Sequence, residues 1–195
     1  MDKLLLVNKQ NPIKKEIAKD LIIVPKEVST IPYDRPYFKL NRETYNAFIN
    51  LRKDILKYGI ELLVDDGYRS FEYQKQIYER FKKEKGEAYA NKIVAPIGSS
   101  EHHTGLAIDL SIRINDKILE DNDELFDQLK IFKKIEPFFY RHGFILRYPE
   151  GKEEITGYPY EPWHIRYIGK ENSHYMKENN IETFEEFYTK KIKQI

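Results

Sequence analysis

The sequence predicts an α+β fold: a single domain with a central, mainly antiparallel sheet flanked by helices. Three observations lead there. Segments with helical spacing of apolar residues come first, strand-like segments cluster in the middle of the chain, and no alternating strand–helix–strand rhythm appears. With 195 residues the chain suits one domain with a sizeable core, and no internal repeat or low-complexity linker divides it.

Residues 1–40 read as an extended arm and loop packed on that domain, because Pro12, Pro25, Pro32 and Pro36 punctuate the stretch from Asn11 to Pro36. Asn41 is placed to cap a helix with apolar spacing at Tyr45, Phe48, Ile49 and Leu56, which stops at Gly59. "IELLVDD" gives a short buried strand, followed by a turn at Asp66-Gly67. Ser70 caps the helix "FEYQKQIYERFKKEK", closed by Gly86, and "EAYANKIVA" supplies a further short helix before Pro96. "GLAIDLSIRI", rich in β-branched and apolar residues, reads as a strand. "NDELFDQLKIFKKIEPFFYRHG" reads as helix, with Pro137 forcing a break or a fresh start and Gly143 closing it. "FILRY" and "WHIRYIG" are strands either side of the loop "PEGKEEITGYPYEP". Thr183 and Glu186 have capping-box spacing for a last helix, "FEEFYTKKI".

Composition excludes several functions. Hydrophobic residues at 41% and charged residues at 33% are those of a globular chain rather than a disordered one. A net charge of +1, with Lys and Arg interleaved among Asp and Glu, provides no field for nucleic acid. The absence of cysteine rules out disulfides and thiolate metal sites, so any metal must be held by His, Asp or Glu. The apolar run before Asn8 is too short for a signal-peptide core or a membrane span. A cytoplasmic protein is therefore expected, the alternative being an extracellular, membrane-anchored one whose anchor has been removed.

The residues that carry chemistry fall in two stretches. In "SSEHHTGLAIDL", His102 and Asp109 are seven apart, and Gly105 between them lets the chain turn from a loop into the strand. In "EPWHIRY", Glu161 and His164 are three apart with Pro162 between them. An unbroken strand would point those two in opposite directions, but Pro162 disfavours regular pairing and bends the chain. Two imidazoles and one carboxylate are the ligand set of an open catalytic Zn²⁺ site with water in the fourth position. Glu161 would remain to take the proton from that water. A histidine near an aspartate is also an ordinary hydrogen-bonded pair, and Trp163-His164 reads equally as core packing. Asp109 resists the plainer reading, because a buried carboxylate needs a cation, an arginine or a set of donors. On spacing alone, both readings stand.

These stretches resemble the zinc D-alanyl-D-alanine carboxypeptidases, the VanY/LdcB group. The family pattern Ser-x-His-x-x-Gly-x-Ala-x-Asp is met by Ser100, His102, Gly105, Ala107 and Asp109, and its Glu-x-x-His by Glu161 and His164. "GYRSFEYQ" resembles the family's arginine-bearing turn. "GFILRYPEGKEEITGYPYEPWH" and the opening "LLLVNKQNPIKK" are most similar to the VanXY-type D,D-dipeptidase/D,D-carboxypeptidases of glycopeptide resistance. The resemblance extends over nearly the whole chain and implies the fold shared by D-Ala-D-Ala peptidases and hedgehog-type domains.

Carried over, the resemblance implies one Zn²⁺ per chain, held by His102, Asp109 and His164, with Glu161 as general base. It implies Arg69 as stabiliser of the developing oxyanion, and Ser100 and Gln74 near the substrate's terminal carboxylate or peptide. Tyr158 and Tyr160, just before Glu161, are placed to line the cleft or to pack beneath it, and Tyr160 is taken as a substrate contact. His103 is left outside the metal set, and His142 and His174 read as structural. The implied activity is removal of a terminal D-Ala, from D-Ala-D-Ala or from peptidoglycan-precursor stems, without a covalent intermediate. The rivals are an LdcB-like L,D- or D,D-carboxypeptidase trimming mature wall peptides, and a non-catalytic zinc-containing binding module on the same fold.

Overall fold

The structure, a computed structural model, describes residues 2–32, 34–119 and 122–192. Its organising element is β4 (Ala107–Ile114), formed by the stretch "GLAIDLSIRI". Leu106, Ile108, Leu110 and Ile112 join the main core, so alternation turns Ala107, Asp109 and Ser111 to the other face. Asp109 thus sits in an apolar run without pointing into the apolar core.

β3 (Glu61–Asp66) and β7 (His164–Tyr167) flank β4, both antiparallel to it, and β6 (Phe144–Leu146) pairs antiparallel with β7. β5 (Lys117–Leu119) folds back on the end of β4, beyond the residues that β7 covers. The α+β class and the antiparallel sheet are as the sequence predicts. Register sets up the chemistry. Asp109 lies opposite His164 on one side and, across a bulge between Val64 and Asp66, opposite Asp66 on the other. Opposed residues of an antiparallel pair share a face, so three strands set one row of ionisable side chains across the sheet.

α1 (Arg42–Leu56) starts where expected, with the Asn41 side chain accepting from the amides of Glu43 and Thr44. It buries Phe48, Leu51 and Ile55, which share the main core with Phe132, Ile135 and Phe139 of α5 (Leu129–Phe139). Leu56, expected on that apolar stripe, is 49% exposed; the 3.6-residue period carries the stripe through Leu51 and Ile55 instead. Phe48 is fully buried. Phe48→Ala is expected to destabilise the fold by about 3–5 kcal/mol, read as a lower denaturation midpoint at unchanged slope. A loss below about 1 kcal/mol would contradict the central place given to this ring.

α2 (Phe71–Lys85) is capped by the Ser70 side chain and ends at Gly86, whose φ of 91° suits glycine, and α3 (Glu87–Ile93) follows. The single helix expected from Asn122 onward is two, α4 (Asn122–Asp127) and α5, parted at Gln128. Pro137 does not break α5, which runs on to Phe139. Only the bond to Lys133 is forfeited, near the helix end and on an exposed face where water can replace it.

The N-terminal stretch is less irregular than its prolines suggest: β1 (Leu21–Ile23) pairs antiparallel with β2 (Lys39–Asn41). The loop before Glu161 contains one helical turn, α6 (Glu153–Thr156), and polar "ENSHYMKENN" lies largely in α7 (Lys170–Glu178), with His174 exposed. α8 (Phe184–Phe187) carries both halves of the Thr183–Glu186 capping box. Leu6, Ile145, Ile168, Met176, Ile181, Phe184 and Phe187 form a second, smaller core on the sheet face opposite the main one. Among the described residues no helix is long and apolar enough to cross a membrane.

Candidate active site

Two turns build one wall of the site. After β3 the backbone at Gly67 passes so close to Lys39 that a Cβ would lie 2.4 Å from its carbonyl oxygen, so only glycine fits. The Gly67 carbonyl accepts a hydrogen bond from His102 Nδ1 at 2.6 Å. His102 stands on the 3₁₀ turn Glu101–Thr104, closed by Gly105 with φ of 70°. The Arg69 amide donates to the His102 carbonyl at 3.1 Å. His103 Nδ1 donates to the Arg69 carbonyl at 2.8 Å, and its Nε2 accepts from the Gly98 amide at 3.1 Å. His103 is therefore neutral and occupied in bracing the turn, and burial pushes its pKa down to about 4.

The other wall comes from Glu161 to His164. The His164 amide donates to the Glu161 carbonyl at 3.1 Å, closing a turn through Pro162, and β7 starts only at His164. That turn resolves the spacing problem: Glu161 Oε2 and His164 Nδ1 come within 3.7 Å of each other.

His102, Asp109 and His164 converge, each offering a ligand atom within 4.8 Å of the others. Because the Gly67 carbonyl can only accept, His102 carries its proton on Nδ1 and presents the Nε2 lone pair to Asp109 Oδ2, 3.2 Å away. His164 Nδ1 lies 2.9 Å from Asp109 Oδ1, yet that buried oxygen has no hydrogen-bond donor among the described residues. A carboxylate with one imidazole nitrogen beside each oxygen, and with one of those oxygens orphaned, fits a Zn²⁺ ion, whose preferred donors are these nitrogen and oxygen types.

The electrostatics are consistent with a cation-binding pocket. Burial pushes Asp109 up, but His102 and His164 outweigh it and hold the carboxyl well below the carboxylate range. Burial and then the Arg69 guanidinium push His102 down. For His164 burial is outweighed by Asp109, which pushes it up to about 9. Burial pushes Glu161 up to about 7, against the pull of His164 and assisted by Asp109. Arg69 spans the Asp66–Asp109 row, donating from Nε to Asp66 at 2.8 Å and from Nη2 to Asp109 at 3.0 Å.

These groups open on a cavity of about 360 Å³. Ser100, Arg69 and Glu161 line it, as do Tyr148, Tyr158 and Trp163. Gln74 and Tyr160 are not on its wall. Gln74 is fully buried and donates to the carbonyl of Ala95, which does line the cavity. Tyr160 is half-buried. His142 pairs with Asp54 at 2.8 Å, away from the site. Sequence reading assigned no part to Asp66, Glu101 or Tyr148. Glu101 stands in the motif itself, between Ser100 and His102, and an acidic residue next to a candidate metal-holding histidine was the available signal.

A family model for VanY, D-alanyl-D-alanine carboxypeptidase, matches residues 37–170. VanXYC of Enterococcus gallinarum, a bifunctional D-Ala-D-Ala dipeptidase and D-Ala-D-Ala carboxypeptidase, is 34% identical over 200 residues, spanning 100% of this chain and 99% of its own. In structure the chain is similar to the LdcB LD-carboxypeptidase, at a TM-score of 0.76 and 35% identity over 95% of this chain and 85% of that one. It is also similar to a variant of the vancomycin-resistance D,D-pentapeptidase VanY in complex with Zn(II), at a TM-score of 0.75 and 28% identity over 96% and 99% of the two chains. A match that runs from β2 through β7 and takes in His102, Asp109, Glu161 and His164 makes this chain a member of the VanY D-alanyl-D-alanine carboxypeptidase family.

Proposed function

We propose that this chain is a zinc-dependent exopeptidase that removes the terminal D-Ala of D-Ala-D-Ala, free or at the end of peptidoglycan-precursor stem peptides. The observation that carries the reading is the convergence of His102, Asp109 and His164 within 4.8 Å, with Glu161 beside them. The substrate class follows from the family and from the bifunctional relative.

A bound Zn²⁺ would supply Lewis-acid polarisation of the scissile carbonyl and would lower the pKa of water to about 7. The chain's own residues do the rest. Glu161, with its carboxyl pushed up to about 7, accepts a proton from the attacking water and returns it to the leaving amine. Arg69, on the cavity wall, steadies negative charge growing on the carbonyl oxygen. Ser100 offers a hydroxyl from the same wall to the substrate's terminal carboxylate. Gln74 contributes indirectly, by fixing Ala95, and Tyr148, Tyr158 and Trp163 present rings on the cavity wall. With three protein ligands and a separate base, water attacks directly and no covalent intermediate is needed.

A second reading, an L,D-carboxypeptidase acting on wall tetrapeptides, is favoured by the likeness to LdcB. D-Ala release from D-Ala-D-Ala, from a pentapeptide ending in D-Ala-D-Ala and from a tetrapeptide ending in one D-Ala separates the two. Release from the first two is expected. Release from the tetrapeptide alone would select the second reading, and release from none would overturn both.

A further inference from the structure

A cluster of fully buried charged side chains lies beside His164. Glu101, Arg147 and Arg166 are each no more than 1% exposed. Both arginines pair with one oxygen of Glu101: Arg147 Nε donates to Oε1 at 2.8 Å, and Arg166 Nη1 lies 3.0 Å from the same oxygen as an ion pair without hydrogen-bond geometry. The second oxygen, Oε2, has no hydrogen-bond partner among the described residues, and neither has His164 Nε2. These two orphaned atoms face each other at 3.8 Å. Two unpartnered buried polar groups are costly, and moving either side chain by less than about 1 Å brings them into hydrogen-bond range.

Resting on the zinc reading given above, we infer that Glu101 is a positioning residue: its Oε2 accepts the Nε2 proton of His164 and thereby aims the Nδ1 lone pair at the metal. His102 already has such a partner in the Gly67 carbonyl, on its Nδ1 side. The two ligand histidines would then be fixed in opposite tautomers, each with its far nitrogen held by a backbone or carboxylate oxygen. Glu101 is itself anchored from both ends of the chain. Arg147 also pairs with Glu185 of α8, at 2.6 and 2.9 Å. Arg166 donates to the carbonyls of Lys3 and Leu5, at 3.2 and 3.0 Å. With one oxygen taken by the Arg147 hydrogen bond and the Arg166 charge, the other faces His164.

The test is zinc affinity by competition with a chromophoric chelator, for the unaltered protein, Glu101→Gln and Asp54→Asn. Asp54→Asn removes a histidine–carboxylate pair outside the site and controls for general loss of stability. Glu101→Gln is expected to weaken zinc binding roughly 10–100-fold, while Asp54→Asn leaves it unchanged. Equal affinity in Glu101→Gln and the unaltered protein overturns the inference. Failure of the unaltered protein to bind zinc would instead defeat the zinc reading itself. A second measurement needs no variant: long-range ¹H–¹⁵N spectra of the zinc-loaded protein. His164 is expected to carry its proton on Nε2, shifted downfield by a carboxylate acceptor, with Nδ1 bound to metal. A zinc-loaded His164 whose Nε2 proton exchanges freely with solvent and lacks that shift contradicts the assignment.

Discussion

Replacing Glu161 by Gln is expected to lower kcat for D-Ala release by on the order of 10²–10⁴-fold while zinc stays bound. Glu161 offers no ligand atom to the convergent set, so the metal has no reason to leave. What is lost is the group that moves a proton from water to the leaving amine, and an amide of the same shape cannot accept it. KM should change little, because the amide preserves the volume of the cavity wall. The substitution also separates an enzyme from a binding module on this fold. If zinc remains and D-Ala release is undiminished, Glu161 is not the base.

Arg147→Met is expected to cost about 3–5 kcal/mol of stability, because it strands buried carboxylates rather than removing a whole ion cluster. Arg147 is fully buried and serves Glu101 on one side and Glu185 on the other. Burial alone would favour protonating Glu101; Arg147 and Arg166 overcome it and hold the group far below the carboxylate range. The loss should appear as a lower denaturant midpoint for the variant. A change under about 1 kcal/mol would mean that the cluster contributes little to holding the sheet and α8 together.

Much of the site was legible in the sequence because its groups come as short spaced motifs. His102 and Asp109 straddle Gly105, and Glu161 and His164 straddle Pro162, so each pair belongs to one local turn or strand start. The Glu101–Arg147–Arg166 cluster was not legible in that way. Its members come from a 3₁₀ turn, the residue after β6 and the interior of β7, and nothing in local spacing says which arginine meets which carboxylate. The same limit governs the fold. α1, α2 and β4 announce themselves through caps and through periods of several residues. β1, β2, β5 and β6 span three residues each, too few to display alternation. α7 buries only Ser173 and Met176, so its sequence reads as a polar surface segment. Pro137 misled for a positional reason, since a proline near a helix end on an exposed face forfeits a bond that water can replace.

The central claim is that His102, Asp109 and His164 hold a zinc ion on which peptidase activity depends. Its most direct test is metal content measured alongside D-Ala release from D-Ala-D-Ala, before and after chelation and again after zinc is restored. One zinc per chain is predicted, with release lost on chelation and recovered on restoration. Undiminished release from protein stripped of metal would contradict the account.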